Sequence, residues 1–176
     1  PMGVSLKELI FERAGGIRNG KQLKAVFPGG SSSAILTADE ALDVKMDFED
    51  LVAKKSMLGS AGVIVMDETV DMVQACLNIA RFYAHESCGQ CTPCREGTAW
   101  LVKMLTRLVN GGGKPQDIDM LFEITDNIGG LIDSSKGSFG KTICPFGEAV
   151  AWPVRSFVEK IKDEFLEYLP QETVVA

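Results

Sequence analysis

Apolar residues recur along this chain with two different rhythms. Up to about Met66 the apolar runs are short and change period often. Leu6, Leu9 and Ile10 fall on one face of a helix that Gly15-Gly16 stops, and Ser5-Leu6-Lys7-Glu8 reads as its capping box. Asn19-Gly20 is a hairpin-turn signal. A strand over Leu23–Phe27 follows, ended by Pro28-Gly29-Gly30. Thr37-Ala38-Asp39-Glu40 is a second capping box, opening a short helix. Residues 44–46 read as another strand, 48–54 as another short helix, and 63–66, bounded by Gly62 and Asp67, as the clearest strand. Short strands mixed with short helices predict a small α+β domain over residues 1–67.

From Thr69 the rhythm turns helical. Val73, Cys76, Leu77, Ala80 and Tyr83 or Ala84 share a stripe, predicting a helix over 70–84. Thr92-Pro93 is a good start for the next, with Thr92 as N-cap and Pro93 first in the helix. Trp100, Leu101, Met104, Leu105 and Leu108 would form its buried face, and Gly111-Gly112-Gly113 its end. Pro115 opens a third helix with Ile118, Leu121, Phe122, Thr125 and Ile128 on its inner face, stopped by Gly129-Gly130. Val150, Val154, Phe157, Val158, Ile161 and Phe165 mark a last helix, begun or kinked at Pro153. Four helices with short links predict a bundle over residues 68–176. Residues 131–140 read as a flexible insertion, and no internal repeat is visible.

Composition narrows the functional classes. With 176 residues there is room for one or two domains, and 45% hydrophobic with 24% charged content is that of a globular chain rather than a disordered one. A net charge of −6 argues against nucleic-acid binding, which needs a basic face. No stretch approaches the roughly 20 apolar residues of a membrane span, and no charged-then-apolar leader opens the chain. The opening Pro1-Met2-Gly3 reads as a piece of a longer polypeptide. Five cysteines is an odd number, four of them placed like metal ligands, so a reducing compartment fits better than a disulfide scaffold.

Those four carry the chemistry. Cys88, Cys91 and Cys94 stand at C-x2-C-x2-C in Glu86-Ser87-Cys88-Gly89-Gln90-Cys91-Thr92-Pro93-Cys94-Arg95-Glu96-Gly97, and Cys144 lies far downstream before a proline. Three thiolates three residues apart reach three corners of an iron–sulfide cube, and a remote Cys-Pro closes the fourth, the usual way a [4Fe–4S] cluster is held. Structural zinc also takes four cysteines but normally from two separated pairs, so a zinc-stapled interaction module is the non-redox alternative. Cys94 falls in the first turn of a helix, where free N–H groups favour a negatively charged cluster. Gly89, Gly97 and Gly147 permit close backbone approach. Arg95 and Lys141 either offset the charge or are simply solvated. Cys76, on an apolar face, reads as core rather than ligand, and His85 as a helix-end residue. Two further patterns are set aside. Ser135 to Thr142 nearly matches a phosphate-binding loop but has serine for its first glycine and no strand before it. Phe27 to Ser33 reads as a turn rather than a phosphate cradle.

His85 to Gly97 and Thr142-Ile143-Cys144-Pro145-Phe146-Gly147-Glu148-Ala149-Val150-Ala151-Trp152-Pro153-Val154 together resemble the flavoprotein-subunit family of NADH:quinone oxidoreductase, respiratory complex I. Phe27-Pro28-Gly29-Gly30 and Gly62 to Asp67 are similar to that family's β-grasp domain, so the likeness covers nearly the whole chain. It implies a ubiquitin-like β-grasp domain of the soluble-ligand-binding type followed by a helical cluster domain. It implies that Cys88, Cys91, Cys94 and Cys144 hold the [4Fe–4S] cluster that takes electrons from reduced FMN and passes them toward quinone. The implied partners are the FMN/NADH-binding domain of the same subunit and neighbouring iron–sulfur subunits. The implied place is the cytoplasmic or matrix side of a respiratory membrane, peripheral and not inserted. The family's N-terminal FMN and NADH domain has no counterpart here, because no glycine-rich dinucleotide loop follows a strand. Neither cofactor is therefore assigned a residue, nor is any residue assigned as catalytic. Residues 131–140 make the approach to Cys144 longer than the family's pattern. Flavoprotein subunits of NAD-linked hydrogenases and formate dehydrogenases share the cysteine triplet and are the second reading.

Overall fold

The computed structural model describes residues 2–130 and 140–170. The chain divides into two compact units between Val70 and Asp71.

The first unit is built on a three-stranded antiparallel sheet in the order β2-β1-β3, with β1 Leu23–Phe27, β2 Leu36–Thr37 and β3 Ile64–Asp67. Its apolar centre gathers Leu6, Ile10, Val26, Leu36, Val44 and Leu51 around one face of the sheet. Around it lie α1 Leu6–Glu8, continued by a wide turn over Leu9–Arg13, with α2 Ala38–Leu42 and α3 Phe48–Ala53. The capping box of α2 forms as read: Glu40 N–H donates to the Thr37 hydroxyl, and Thr37 N–H to the Glu40 carboxylate at 2.9 Å.

Three local readings are corrected. Ser5 makes no side-chain cap on α1, and the Glu8 carboxylate, instead of reaching back to it, pairs with Arg13 at 2.6 Å. Asn19-Gly20 joins no two strands. Both residues have positive φ (59° and 68°) in a tight turn that leads into β1. Residues 44–46 stay out of the sheet and pair with the chain's start, Leu6 N–H donating to Val44 O at 2.9 Å and Met46 N–H to Val4 O at 2.8 Å. β2 went unforeseen, since two residues are too few to show a period. The stretch 27–33 closes in a turn, with the Ser33 hydroxyl donating to Gly30 O at 2.8 Å.

The second unit is helical: α4 Met72–Glu86, α5 Thr92–Val109, α6 Gln116–Gly129, α7 Phe146–Lys160 and α8 Lys162–Glu167. Of the four longer helices, α4 and α6 each rest on both α5 and α7. Leu101, Leu105, Leu121, Ile128, Val154 and Phe157 are fully or almost fully buried, as their 3.6-residue spacing requires. The last helix departs from its reading. Pro145, with φ −62°, precedes the first turn, while Pro153 lies inside α7 and only Ile161, at φ −121°, separates α8. Three residues assigned to buried faces are not fully buried, Ile161 at the break between α7 and α8 among them. Trp100 is 49% exposed, and Phe122 lies partly exposed under the Arg155 guanidinium, 5.1 Å from its ring centre. The insertion read over 131–140, apart from Gly140, and most of the phosphate-loop near-match lie outside the described residues. Among the described residues no helix is long and apolar enough to cross a membrane.

Candidate metal centre

The cysteine triplet fills the link between α4 and α5. Helix α4 stops at Glu86 because Ser87 turns extended (φ −64°, ψ 124°), and Gly89 takes φ +68°, a value costly for any residue with a Cβ. Arg95 then reaches back over the loop. Its guanidinium donates to Gly89 O at 3.1 Å, to the Thr92 hydroxyl at 3.2 Å and to Glu96 at 3.2 Å. The residue expected to offset the cluster's charge is thus also the loop's tie. Cys91, not Thr92, is the N-cap of α5, and Pro93 is second in the helix. Cys94 consequently sits third, buried, with its carbonyl accepting from Thr98 Oγ1 at 2.8 Å. Cys88 is exposed and Cys91 half-buried.

Cys144 arrives from the other direction, on the segment between α6 and α7. Lys141 N–H donates to Asn127 O at 3.2 Å, fastening the segment to the end of α6. Cys144 O accepts from Gly147 N–H at 3.4 Å and Pro145 O from Ala149 N–H at 3.1 Å, so Cys144 stands immediately ahead of α7. Glycines let these elements close. A Cβ on Gly97 would lie 2.7 Å from Ile128 Cδ1, and one on Gly129 would lie 2.5 Å from Ala151 Cβ and 2.8 Å from Gly147 O.

The four thiols share one electrostatic neighbourhood. Burial, reinforced by charge on Cys91, Cys144 and Cys88, pushes the Cys94 thiol up to about 12. The Cys91 thiol is held below its ordinary value, first by the main-chain N–H of Ile143 directed at its sulfur and then by donors from Cys94. That N–H comes from the Cys144 segment, so the two loops meet at Cys91. The Ile143 side chain points the other way and is 77% exposed. Among the described residues no three His, Cys, Asp or Glu side chains close on a point as ligands of one ion would. Four thiolates on zinc would stand about 3.8 Å apart, given a zinc–sulfur bond of about 2.3 Å.

Cys76 and His85 are not part of this group. Cys76 is fully buried on the inner face of α4 and burial pushes its thiol up, while His85 is exposed in the last turn of α4. Thr142 and the Ile143 N–H were not singled out from the sequence. A hydroxyl that donates to the carbonyls of a distant helix end, like a main-chain donor, leaves no local signal in the sequence.

Residues 74–168 match the profile of the NADH-ubiquinone oxidoreductase-F iron-sulfur binding region. The chain is 44% identical over 164 residues to the NADH-quinone oxidoreductase F subunit of Rickettsia bellii, covering 93% of this chain and 37% of that protein. With the F subunit of Rickettsia conorii it shares 43% over 175 residues, 99% of this chain and 39% of the relative. With that of Rhodobacter capsulatus it shares 42% over 164 residues, 93% and 36%. It therefore spans less than two-fifths of the length of these relatives. Among solved structures it resembles NAD+-reducing [NiFe]-hydrogenase in the H2-reduced state, with a TM-score of 0.79 at 27% identity over 98% of this chain and 27% of that one. The air-oxidized state of that enzyme gives 0.80 at 26% identity, covering 100% and 28%.

Proposed function

Because this chain belongs to the NADH-ubiquinone oxidoreductase-F iron–sulfur binding family, we propose that it is the electron-transfer part of a complex I flavoprotein subunit, with Cys88, Cys91, Cys94 and Cys144 as the ligands of a [4Fe–4S] cluster. The observation that carries this reading is the meeting of the triplet with the Cys144 segment at the N-terminal ends of α5 and α7. The donor set fits the group. It consists of four thiols, none in a disulfide, three on the loop that leads into α5 and one on the segment that leads into α7.

When bound, the cluster supplies a one-electron carrier. This chain's residues hold and bias it. The first-turn N–H groups of α5 favour the more negative, reduced state. The Ile143 N–H directed at Cys91 does the same locally, and burial of Cys94 limits access of water. Electrons reach this centre from FMN reduced by NADH on another part of the subunit, and leave toward neighbouring iron–sulfur subunits and quinone. The subunit sits peripherally on the cytoplasmic or matrix side of the membrane. We read the helical unit as a four-helix bundle, supported by the mutual packing of α4 to α7. We read the first unit as β-grasp-like, supported by α1 lying on a small sheet. The flavoprotein part of a hydrogenase is the second reading, favoured by the TM-scores of 0.79 and 0.80; 42–44% identity to the F subunits against 26–27% ranks it behind.

Anaerobic purification with iron, sulfide and zinc analysis tests the proposal. The expected content is about four irons and four sulfides per chain, that of one cubane cluster, with an electron paramagnetic resonance signal on reduction. A colourless protein with stoichiometric zinc would replace the redox reading by a zinc-stapled module.

A further inference from the structure

A helix leaves its last carbonyls without partners, and whatever follows the helix usually supplies the donors. Helix α6 does this in an unusual way. Gly130, at φ +67°, returns only one N–H, to Asp126 O at 3.2 Å. The next two carbonyls are served by a segment more than ten residues further on: Asn127 O by Lys141 N–H and Ile128 O by the Thr142 hydroxyl, each at 3.2 Å. The same hydroxyl lies 3.2 Å from Cys144 O. Its one proton thus serves either the end of α6 or the ligand's own carbonyl, and it is the bond to Ile128 O that ties the segment to α6.

The surroundings are cut to this side chain. A Cβ on Gly147 would stand 2.1 Å from Thr142 Oγ1 and 2.8 Å from Ile128 O, so the hydroxyl occupies the notch that Gly147 leaves. A Cβ on Gly140 would stand 2.3 Å from Ile128 O, so the chain enters the clamp only as glycine. The next residue sends its N–H to Cys91, and the one after is Cys144.

We propose that Thr142 is the positioning residue of the metal centre: its hydroxyl clamps the segment from Gly140 to Cys144 onto the open end of α6, so that Cys144 and the Ile143 N–H are set against the triplet before any metal binds. The role toward the metal rests on the cluster reading above, but the clamp does not. Valine at this position keeps the shape and gives up the bond to Ile128 O, whereas serine keeps it.

The test uses the full chain in both states. In the anaerobically loaded chain, Thr142→Val is expected to release iron to a chelator about fivefold faster, the effect of losing one part-buried hydrogen bond. It should also alter the electron paramagnetic resonance line shape of the reduced cluster, and Thr142→Ser should stay within about twofold of wild type and keep the line shape. Wild-type release and line shape in Thr142→Val would overturn the proposal. Hydrogen exchange on the metal-free wild-type chain needs no variant that folds and no cluster. The amides of Lys141 and Gly147 are expected to be protected, and exchange there at the rate of an unstructured peptide would also overturn it. Absence of iron and sulfide from wild-type protein would sink the cluster reading instead, while the exchange result would still decide the clamp.

Discussion

At the scale of single residues, the five cysteines differ by where the backbone puts them. Cys91 caps a helix and receives main-chain donors, Cys94 is buried one turn in, and Cys88 and Cys144 are open to solvent. Cys76 is walled in by apolar neighbours on α4, with nothing to ligate. Alanine in place of Cys88, Cys91, Cys94 or Cys144 should therefore lose or degrade the cluster, because an iron without its protein ligand is readily stripped. Cys76→Ala should keep wild-type iron content and cost about 1 kcal/mol of stability, the scale of a small core truncation. Iron analysis and urea unfolding of the five variants check this; full iron in Cys144→Ala would remove it from the ligand set. Arg95 acts one step back. Arg95→Leu gives up the bonds to Gly89 O and Thr92 while keeping much of the packing. The expected result is normal folding with a cluster that oxygen destroys several-fold faster, read from the decay of visible absorbance.

Between elements, one polar contact ties the start of the helical unit to the far end of its described chain. Asp71 is the N-cap of α4, accepting from Gln74 N–H at 2.9 Å, and it also accepts from the Tyr168 hydroxyl just beyond α8. Burial works to raise the Asp71 carboxyl, but the Tyr168 and Gln74 donors outweigh it and hold the group below its usual range. The same bond raises the Tyr168 phenol. A depressed carboxyl stabilises the fold above its unfolded value and loses that contribution as pH falls through the folded one. A raised phenol contributes below its unfolded value near 10 and loses that as pH rises. Tyr168→Phe should cost about 1 kcal/mol near pH 7. The gap from wild type should be flat from about pH 5 to 9 and shrink below about 4 and above about 10. Urea midpoints across that range would show it, and a gap independent of pH would mean that lost packing, not the hydrogen bond, is responsible.

The element scale also shows what the sequence made legible. Helices α4, α5 and α6 were readable because each carries several turns of 3.6-residue apolar spacing, and β1 because it is a short run between turn residues. The start of α7 was only partly legible, because Pro153 was read as its beginning or as a kink, whereas the helix begins after Pro145 and carries Pro153 inside it. Ser5 failed as a capping residue because a three-residue helix offers little to cap. The ligand triplet was legible since its chemistry is local. Cys144 was legible as its fourth member, but the contacts that seat it were not, because they involve a helix end, a main-chain N–H and glycines that are neighbours only in space.

At the scale of the whole molecule, the two units hold themselves together by different means. The first has its own sheet and a closed apolar centre of Leu6, Ile10, Val26, Leu36, Val44 and Leu51. The second buries long helical faces, but at one end its closure depends on loops whose thiols repel once ionised, and burial with charge on its neighbours already disfavours a thiolate at Cys94. Metal binding removes those protons and supplies the compensating charge, so it is coupled to folding there. Stripping the cluster with acid or chelator should therefore speed hydrogen exchange in the second unit, most at residues 88–97, while Lys141 and Gly147 keep the protection that the Thr142 clamp gives them. The helix middles around Leu105 and Phe157 should respond less. The first unit should keep its protection, since nothing in its core involves a thiol. Mass-resolved exchange on loaded and stripped protein gives both numbers in one experiment. Equal protection of the cysteine loops in the two states would mean that the cluster enters a finished pocket, leaving hydrogen bonds such as those of Thr142 and Arg95 to hold it open. Loss in both units together would mean that the molecule folds as one cooperative body, with the metal contributing to all of it.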